Sequence, residues 1–186
     1  MSARWAHRSR PCAGETANGD LALVLSDGER EAFVVVDALG HGPRAQQVAE
    51  LAAAALRRAS LVGGVEGIVS EVHGTLRGSR GAAMTIVLRE GSKVTAAGVG
   101  NVALRFFGAG TLRFVPTEGV LGGRMRSLRV VEGNTVSGRL VLHSDGVSQR
   151  FDSALVTSGS LEEACERLLA DHGVRHDDAT VLIAEL

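Results

Sequence analysis

Four aspartates, Asp20, Asp37, Asp145 and Asp177, stand where an apolar run begins or ends, and Asp178 directly follows the last of them. Asp20 precedes the run Leu21 to Leu25, and Asp37 follows the run Ala32 to Val36; between the runs lies Ser26-Asp27-Gly28-Glu29-Arg30. Two apolar runs around a Gly-containing polar turn predict a β-hairpin. Opposed residues in an antiparallel pair share a constant index sum, and a sum of 57 centres the turn between Gly28 and Glu29, where the turn residues lie. That register sets Asp20 opposite Asp37, with Cβ atoms about 4.5–5.5 Å apart. Two ionised carboxylates about 5 Å apart repel by roughly 3 kcal/mol at an effective dielectric near 20, so a positive group belongs between them.

A second set has the same character. Asp145 ends the run Arg-Leu-Val-Leu-His-Ser, and Asp177-Asp178 immediately precede Ala-Thr-Val-Leu-Ile-Ala. If these two strands are antiparallel neighbours, the acids gather at one rim. Hard oxygen donors without cysteine and without a His-Glu-x-x-His motif suit manganese or magnesium. Two such ions about 3.5–4 Å apart lower the pKa of a bridging water and hold a phosphoryl group for in-line attack. Any one of these aspartates alone would read as a turn or cap residue; four at strand ends favour a shared purpose.

The elements that must position the acids follow from periodicity. After the hairpin, Gly40-His41-Gly42-Pro43 leads into the Ala-rich RAQQVAELAAAALRRA, a helix with Pro43 in its first turn. A weaker helix spans about Val65 to Leu76, diluted by Gly67 and Gly74. From Ala82 to Val115 the period changes to that of four short strands, with turns at Glu90-Gly91-Ser92, Gly98 to Asn101 and Gly108-Ala109-Gly110. Further strands are predicted near Ser127 to Glu132, Arg139 to His143 and Ala179 to Ala184. A helix from Leu161 to about Asp171 opens on a capping box of Ser160 and Glu163 and closes at Gly173. Hairpin-connected strands with one early and one late helix predict an α+β protein built on antiparallel sheets covered by helices.

The length of 186 residues fits a single domain, 1–186, with a loose N-terminus of about ten residues. Twenty Lys and Arg against 21 Asp and Glu leave a net charge of −1, which argues against nucleic acid or an anionic membrane as partner. No apolar stretch approaches the roughly 20 residues a bilayer needs, and the first residues lack the apolar core of a secretory signal. A cytoplasmic protein, with the monomer favoured, is the expectation. Cys12 and Cys165 are read as unpaired thiols.

The blocks NGD (Asn18–Asp20), VVVDALGHGPRAQQVA, AGVGN (Ala97–Asn101), LHSDGV (Leu142–Val147) and HDDATVL (His176–Leu182) resemble, in order, those of the SpoIIE-like branch of the metal-dependent (PPM) serine/threonine protein phosphatases, most of all its stand-alone RsbX type. The resemblance spans about 165 residues and implies a four-layer α-β-β-α sandwich of two mainly antiparallel sheets flanked by helices. It implies two Mn2+ or Mg2+ ions: Asp37 bridging both, the carbonyl of Ala38 on one, Asp20 and Asp145 on either side, and Asp177 completing the set. Asp178 matches a position beside that ligand, which either supports it or binds a third, weaker metal. The implied reaction is hydrolysis of phosphoserine or phosphothreonine by metal-activated water without a phosphoenzyme. The implied substrates are phosphorylated STAS-domain regulators, such as stressosome components or anti-sigma-factor antagonists. A phosphatase fold that only docks such regulators, and a hydrolase of another phosphoester, are the alternatives. One departure is Ala38, where the family has glycine.

His41, between glycines at a helix start, reads either as a proton donor to the leaving serine oxygen or phosphate contact, or as a polar residue fixing the loop. His143 and His176 read as packed or supporting residues near the proposed ligands. Gly98, Gly100 and Asn101 read as a hairpin turn, Gly122-Gly123 as a turn with a flap as the alternative, and Arg124, Arg126 and Arg129 as a solvated face with an acidic partner as the alternative.

Overall fold

The computed structural model describes residues 2–186. Eight strands are joined in the order β1-β8-β7-β5-β4-β3-β2, with β6 also on β7. They are β1 (Arg4–Arg10), β2 (Asp20–Ser26), β3 (Arg30–Ala38), β4 (Ala82–Glu90), β5 (Lys93–Val99), β6 (Ala103–Thr111), β7 (Val130–His143) and β8 (Ala179–Glu185). The helices are α1 (Pro43–Arg58), α2 (Gly64–Thr75), α3 (Ser153–Thr157) and α4 (Leu161–His172). Every strand pair is antiparallel.

Strand β7 makes two layers out of this one ladder. Its first residues, Val130 to Asn134, pair with β5, and its last, Arg139 to His143, pair with β8. Three cores then separate four layers. Phe33, Val35, Val87, Leu140, Leu142 and Leu182 meet between the sheets. The alternate residues of β3, Ala32, Val34 and Val36, face α1 and α2 together with Leu56, Ile68 and Leu76. Val141, Val181 and Ile183 face α3 and α4 with Ala164, Cys165 and Leu168. This is the expected α-β-β-α sandwich: β3 is buried on both faces because it lies between a helix layer and the second sheet.

The alanine stripe of α1 (Ala45, Ala49, Ala52, Ala55) is buried against the sheet, where small side chains let the helix approach closely, and Pro43 opens the helix as expected. At α4 the Ser160 hydroxyl accepts from Glu163 N and the Glu163 carboxylate accepts from Ser160 N, so the capping box forms.

Several expectations are corrected. Residues 4–10 are not loose: they form β1, paired with β8 along its whole length; residue 1 lies outside the described residues. Only Ala6 of β1 is buried, and Arg4 and Arg8 pair with Glu185 and Glu166, so this charged edge strand carries little apolar alternation. The strands expected at Ser127–Glu132 and Arg139–His143 are one strand, Val130–His143, which changes partner from β5 to β8 along its length. Gly108 to Gly110 lies inside β6, with the register shifting between Ala109 and Gly110, rather than forming a turn. A strand is absent after Thr111, and the short helix α3 has no counterpart in the periodicity. Leu121, fully buried, pins the 112–129 segment through bonds to Ala82 in both directions, so Gly122-Gly123 is a turn held on α2 and not a flap.

Candidate functional site

The β2–β3 hairpin has the predicted register, with Asp20 opposite Asp37. Ala38 N donates to Gly19 O at 3.0 Å, adding one rung beyond the pair. Among the described residues none other than glycine has positive φ, so alanine follows Asp37 without backbone strain. On the second sheet, Ser144 N donates to Thr180 O (3.1 Å) and Thr180 N to Ser144 Oγ (3.0 Å), which extends the β7–β8 ladder to its Asp145 and Asp178 end. Gly146 is required there by contact: a Cβ would lie 1.8 Å from the carbonyl oxygen of Asp178.

The layers are tied across the site by Ser144, whose hydroxyl donates to Asp20 Oδ2 at 2.5 Å. Behind Asp20, Asn18 Oδ1 accepts from Asp20 N, Asn18 Nδ2 donates to Ser9 Oγ, and Ser9 and Thr180 share a hydrogen bond. Asn101 Nδ2 donates to Asp145 Oδ2 at 2.5 Å. Ser9, Ser144 and Thr180 escape sequence reading because hydroxyls inside strands look like ordinary strand residues; Asn101 was read only as part of a turn.

Electrostatics show how close the acids stand. Asp37 is pushed up to about 9, first by burial and then by the charges of Asp20, Asp145 and Asp177. Asp20 is raised to about 7 by burial, against which the Ser144 hydroxyl works, with Asp178 adding to the rise. Asp145 is raised by burial and by Asp177, and shares a hydrogen bond with Asp37. Among the described residues no three His, Cys, Asp or Glu side chains form a ready metal-holding group. An all-oxygen donor set in which burial and neighbouring carboxylates raise Asp20, Asp37 and Asp145 is nonetheless the chemistry that a divalent cation fits.

Asp178 stands differently. It is 3% exposed, its Oδ1 accepts from Cys12 N and its Oδ2 from Gly19 N, both at 2.7 Å. It fastens the 12–19 loop, and with it the residue before Asp20. Replacing Asp178 by alanine leaves two buried N–H groups unpartnered, about 1–3 kcal/mol each. The expected result is a Tm lower by roughly 5–15 °C and, because Gly19 is released, about 10–100-fold weaker binding of Mn2+. Asp178→Asn, which retains one acceptor, should fall between, as thermal unfolding and metal titration would report.

His41 is exposed at the rim, in a loop where Gly40 and Gly42 have positive φ; its Nδ1 lies 3.3 Å from Glu15. His143 is fully buried, its Nδ1 bonded to Ser144 O and its Nε2 without a partner, and burial followed by Arg105 lowers its pKa. It packs edge-on against Phe151, as a packed strand histidine, and His176 is exposed. A cleft of about 360 Å3 opens beside Asp20 between β2 and α1, lined by Asn18, Leu21, Gln46, Glu50 and Arg57 among others. The larger hollow, about 680 Å3, lies at the far end of the hairpin and is lined by the pairs Arg30–Glu90 and Arg89–Glu31, away from the acid cluster.

No protein-family profile and no curated protein matches the chain. Solved structures do. One described as "The bacterial stressosome: a modular system that has been adapted to control secondary messenger signaling" is 29% identical, with a TM-score of 0.89, covering 99% of this chain and 100% of that one. RsbX in complex with magnesium is 21% identical, TM-score 0.87, covering 99% and 95%. The Mycobacterium tuberculosis serine/threonine phosphatase PstP/Ppp is 17% identical, TM-score 0.79, covering 100% and 99%. The four-layer architecture with its acids at one end of the sheets is thus the fold of the PPM serine/threonine phosphatases.

Proposed function

We propose that this chain is a manganese- or magnesium-dependent phosphatase that removes phosphate from phosphoserine or phosphothreonine on a bacterial stress or sigma-factor regulator carrying a STAS domain. The observation that carries the reading is the convergence of Asp20, Asp37, Asp145 and Asp177, close enough that three of them raise the pKa of the fourth. Asp37, at the centre, suits a bridging ligand, and the Ala38 carbonyl follows it. Asp20 and Asp145 flank it from the two sheets, and Asp177 closes the set. When bound, a pair of divalent cations supplies Lewis acidity to the attacking water and to the phosphoryl oxygens. Ser144 and Asn101 hold the carboxylates of Asp20 and Asp145, and Asp178 holds Gly19. His41, exposed on the loop that follows Asp37, would give a proton to the leaving serine oxygen or contact the phosphate; its 3.3 Å approach to Glu15 suits the alternative, a polar residue fixing the loop.

The structural likeness to RsbX and to a stressosome protein supports a regulator of stress signalling as substrate. Among the described residues no helix is long and apolar enough to cross a membrane. The test is hydrolysis of p-nitrophenyl phosphate and of a phosphorylated STAS-domain protein with Mn2+. Turnover abolished by EDTA and restored by Mn2+ is expected. Binding of the regulator without metal-dependent turnover would instead identify a docking module, and faster turnover of nucleotides than of phosphoprotein would move the substrate class.

A further inference from the structure

Next to the acid pocket lies a block of the chain with the opposite charge. Residues 72–89 and 119–131 contain no Asp or Glu, yet carry Arg77, Arg80, Arg89, Arg124, Arg126 and Arg129. The two segments are stitched together. Ala82 and Leu121 exchange backbone hydrogen bonds at 3.2 and 2.9 Å, and Gly122 N donates to His73 Nδ1 at 3.2 Å. Gly122 fits against the carbonyl of Leu76 so closely that a Cβ there would be 2.4 Å away, and Val120 N donates to Arg124 O at 2.9 Å. Arg124 is thereby fixed beside the turn that carries Arg77 and Arg80.

This basic block adjoins the site through the β3–β4 ladder. Leu39 N donates to Gly81 O at 3.0 Å, and the next step along the pair sets Gly40 beside Arg80, where a Cβ on Gly40 would lie 2.9 Å from the guanidinium Nη1. On its other side Gly40 meets Gly19: a Cβ on Gly19 would be 3.4 Å from Gly40 O. Only the Gly40 backbone therefore separates the Arg80 guanidinium from the residue that precedes Asp20. Arg77, Arg80 and Arg124 are exposed, and their side chains make no hydrogen bond or ion pair among the described residues, whereas Arg126 is paired with Glu118 and Arg89 with Glu31. Three free guanidiniums beside a pocket suited to cations form a surface for an anion extended on both sides of its phosphate.

We propose that Arg77, Arg80 and Arg124 form a docking rim for a phosphorylated, acidic protein segment, whose phosphate enters the acid pocket while its flanking carboxylates lie on the rim. The proposal rests on the phosphatase reading and names how its protein substrate is recognised. Guanidiniums suit this task because their planar donors match carboxylate and phosphate oxygens two at a time. A small aryl phosphate reaches the pocket without reaching the rim.

The experiment compares wild type with Arg80→Ala/Arg124→Ala, using a phosphoserine peptide with acidic flanks and p-nitrophenyl phosphate. The ratio of kcat/KM for the peptide to that for the small ester should fall about 10-fold or more, through KM. Arg80→Lys/Arg124→Lys, which keeps the charge, should recover part of it, and the peptide's kcat/KM should lose salt sensitivity in the alanine variant. A ratio within twofold of wild type overturns the rim. Wild type that hydrolyses neither substrate with Mn2+ defeats the phosphatase reading alone, because the rim is read separately by fluorescence anisotropy of the labelled phosphopeptide on the metal-free chain at low salt. There a 10-fold weaker affinity of the alanine variant supports it, and equal affinity overturns it.

Discussion

Asp37→Asn should abolish metal-dependent phosphatase activity, by about 1000-fold or more, while making the metal-free protein more stable. The loss follows from the central place of Asp37: an amide cannot bridge two cations as a carboxylate does, and Lewis-acid stabilisation worth several kcal/mol corresponds to about three powers of ten in rate. The gain follows from the pocket's charge. The Asp37 carboxyl, ordinarily at 3.8, is raised to about 9 by burial and three neighbouring aspartates, so folding at pH 7 without metal requires it to take up a proton. That uptake costs a few kcal/mol, at about 1.4 kcal/mol per pH unit. A neutral asparagine avoids the cost, and at about 2–4 °C per kcal/mol for a chain of this size, Tm in EDTA should rise by roughly 5–10 °C. Calorimetry in EDTA and initial rates in Mn2+ check the two signs together. An active variant would remove Asp37 from the proposed ligand set, and a destabilised one would show that its carboxyl contributes more through its hydrogen bond to Asp145 than it costs.

The second large effect is a metal-dependent reversal of pH behaviour. A carboxyl whose folded pKa is raised binds more protons in the native than in the unfolded state, so its contribution is fully present below the unfolded value and is lost as pH rises through the folded one. For Asp20, raised to about 7, and Asp37, raised to about 9, the loss runs from pH 3.8 upward through 7 and 9. His143, lowered by burial, works in the opposite direction and only below 6.5, whereas Cys165, raised to about 12, works in the same direction as the aspartates but only above 9.0. Between pH 6.5 and 9 the two aspartates therefore dominate, and Tm in EDTA should fall by several degrees. Divalent cations compete with the same protons, so Mn2+ binds more tightly as pH rises and its stabilisation grows. The gap between Tm with 1 mM Mn2+ and with EDTA should widen steadily from pH 6.5 to 9. A gap that is constant or absent would separate the raised aspartates from metal binding.

How much of this was legible beforehand depends on how local each signal is. The Asp20–Asp37 pairing was readable because a short polar turn between two apolar runs fixes a hairpin's register without reference to the rest of the molecule. The α1 and α4 helices were readable from Pro43 and from the Ser160–Glu163 box, which act within one turn. Strand β1 was not, since its burial rests on Ala6 alone and its partner lies more than 170 residues away. Nor was the unity of β7, because residues 133–138 between its two expected parts lack an apolar alternation, although one strand runs through them from one sheet to the other. The acids themselves were legible as strand-end aspartates, but that the Asp145 end meets the Asp20 end depends on Ser144 and Thr180, whose hydroxyls carry no sequence signature. That residues 76–81 and 119–125 lie together was not readable either, because they join through contacts of Val120, Leu121 and Gly122 that carry no local signal.

The pairing of β1 with β8 bears on how the molecule comes into being. A chain made from its first residue onward presents Asp20 and Asp37 early, in a hairpin that can close within microseconds. Asp177 and the strand that follows it are made about 140 residues after Asp37, and only then can β1 find its partner. Such long-range pairing is slow relative to local contacts. The growing polypeptide on the ribosome thus carries half of its carboxylate set without the other half. Capacity to retain a cation and to act on another protein should arise abruptly, with the addition of the final strand, rather than gradually during synthesis.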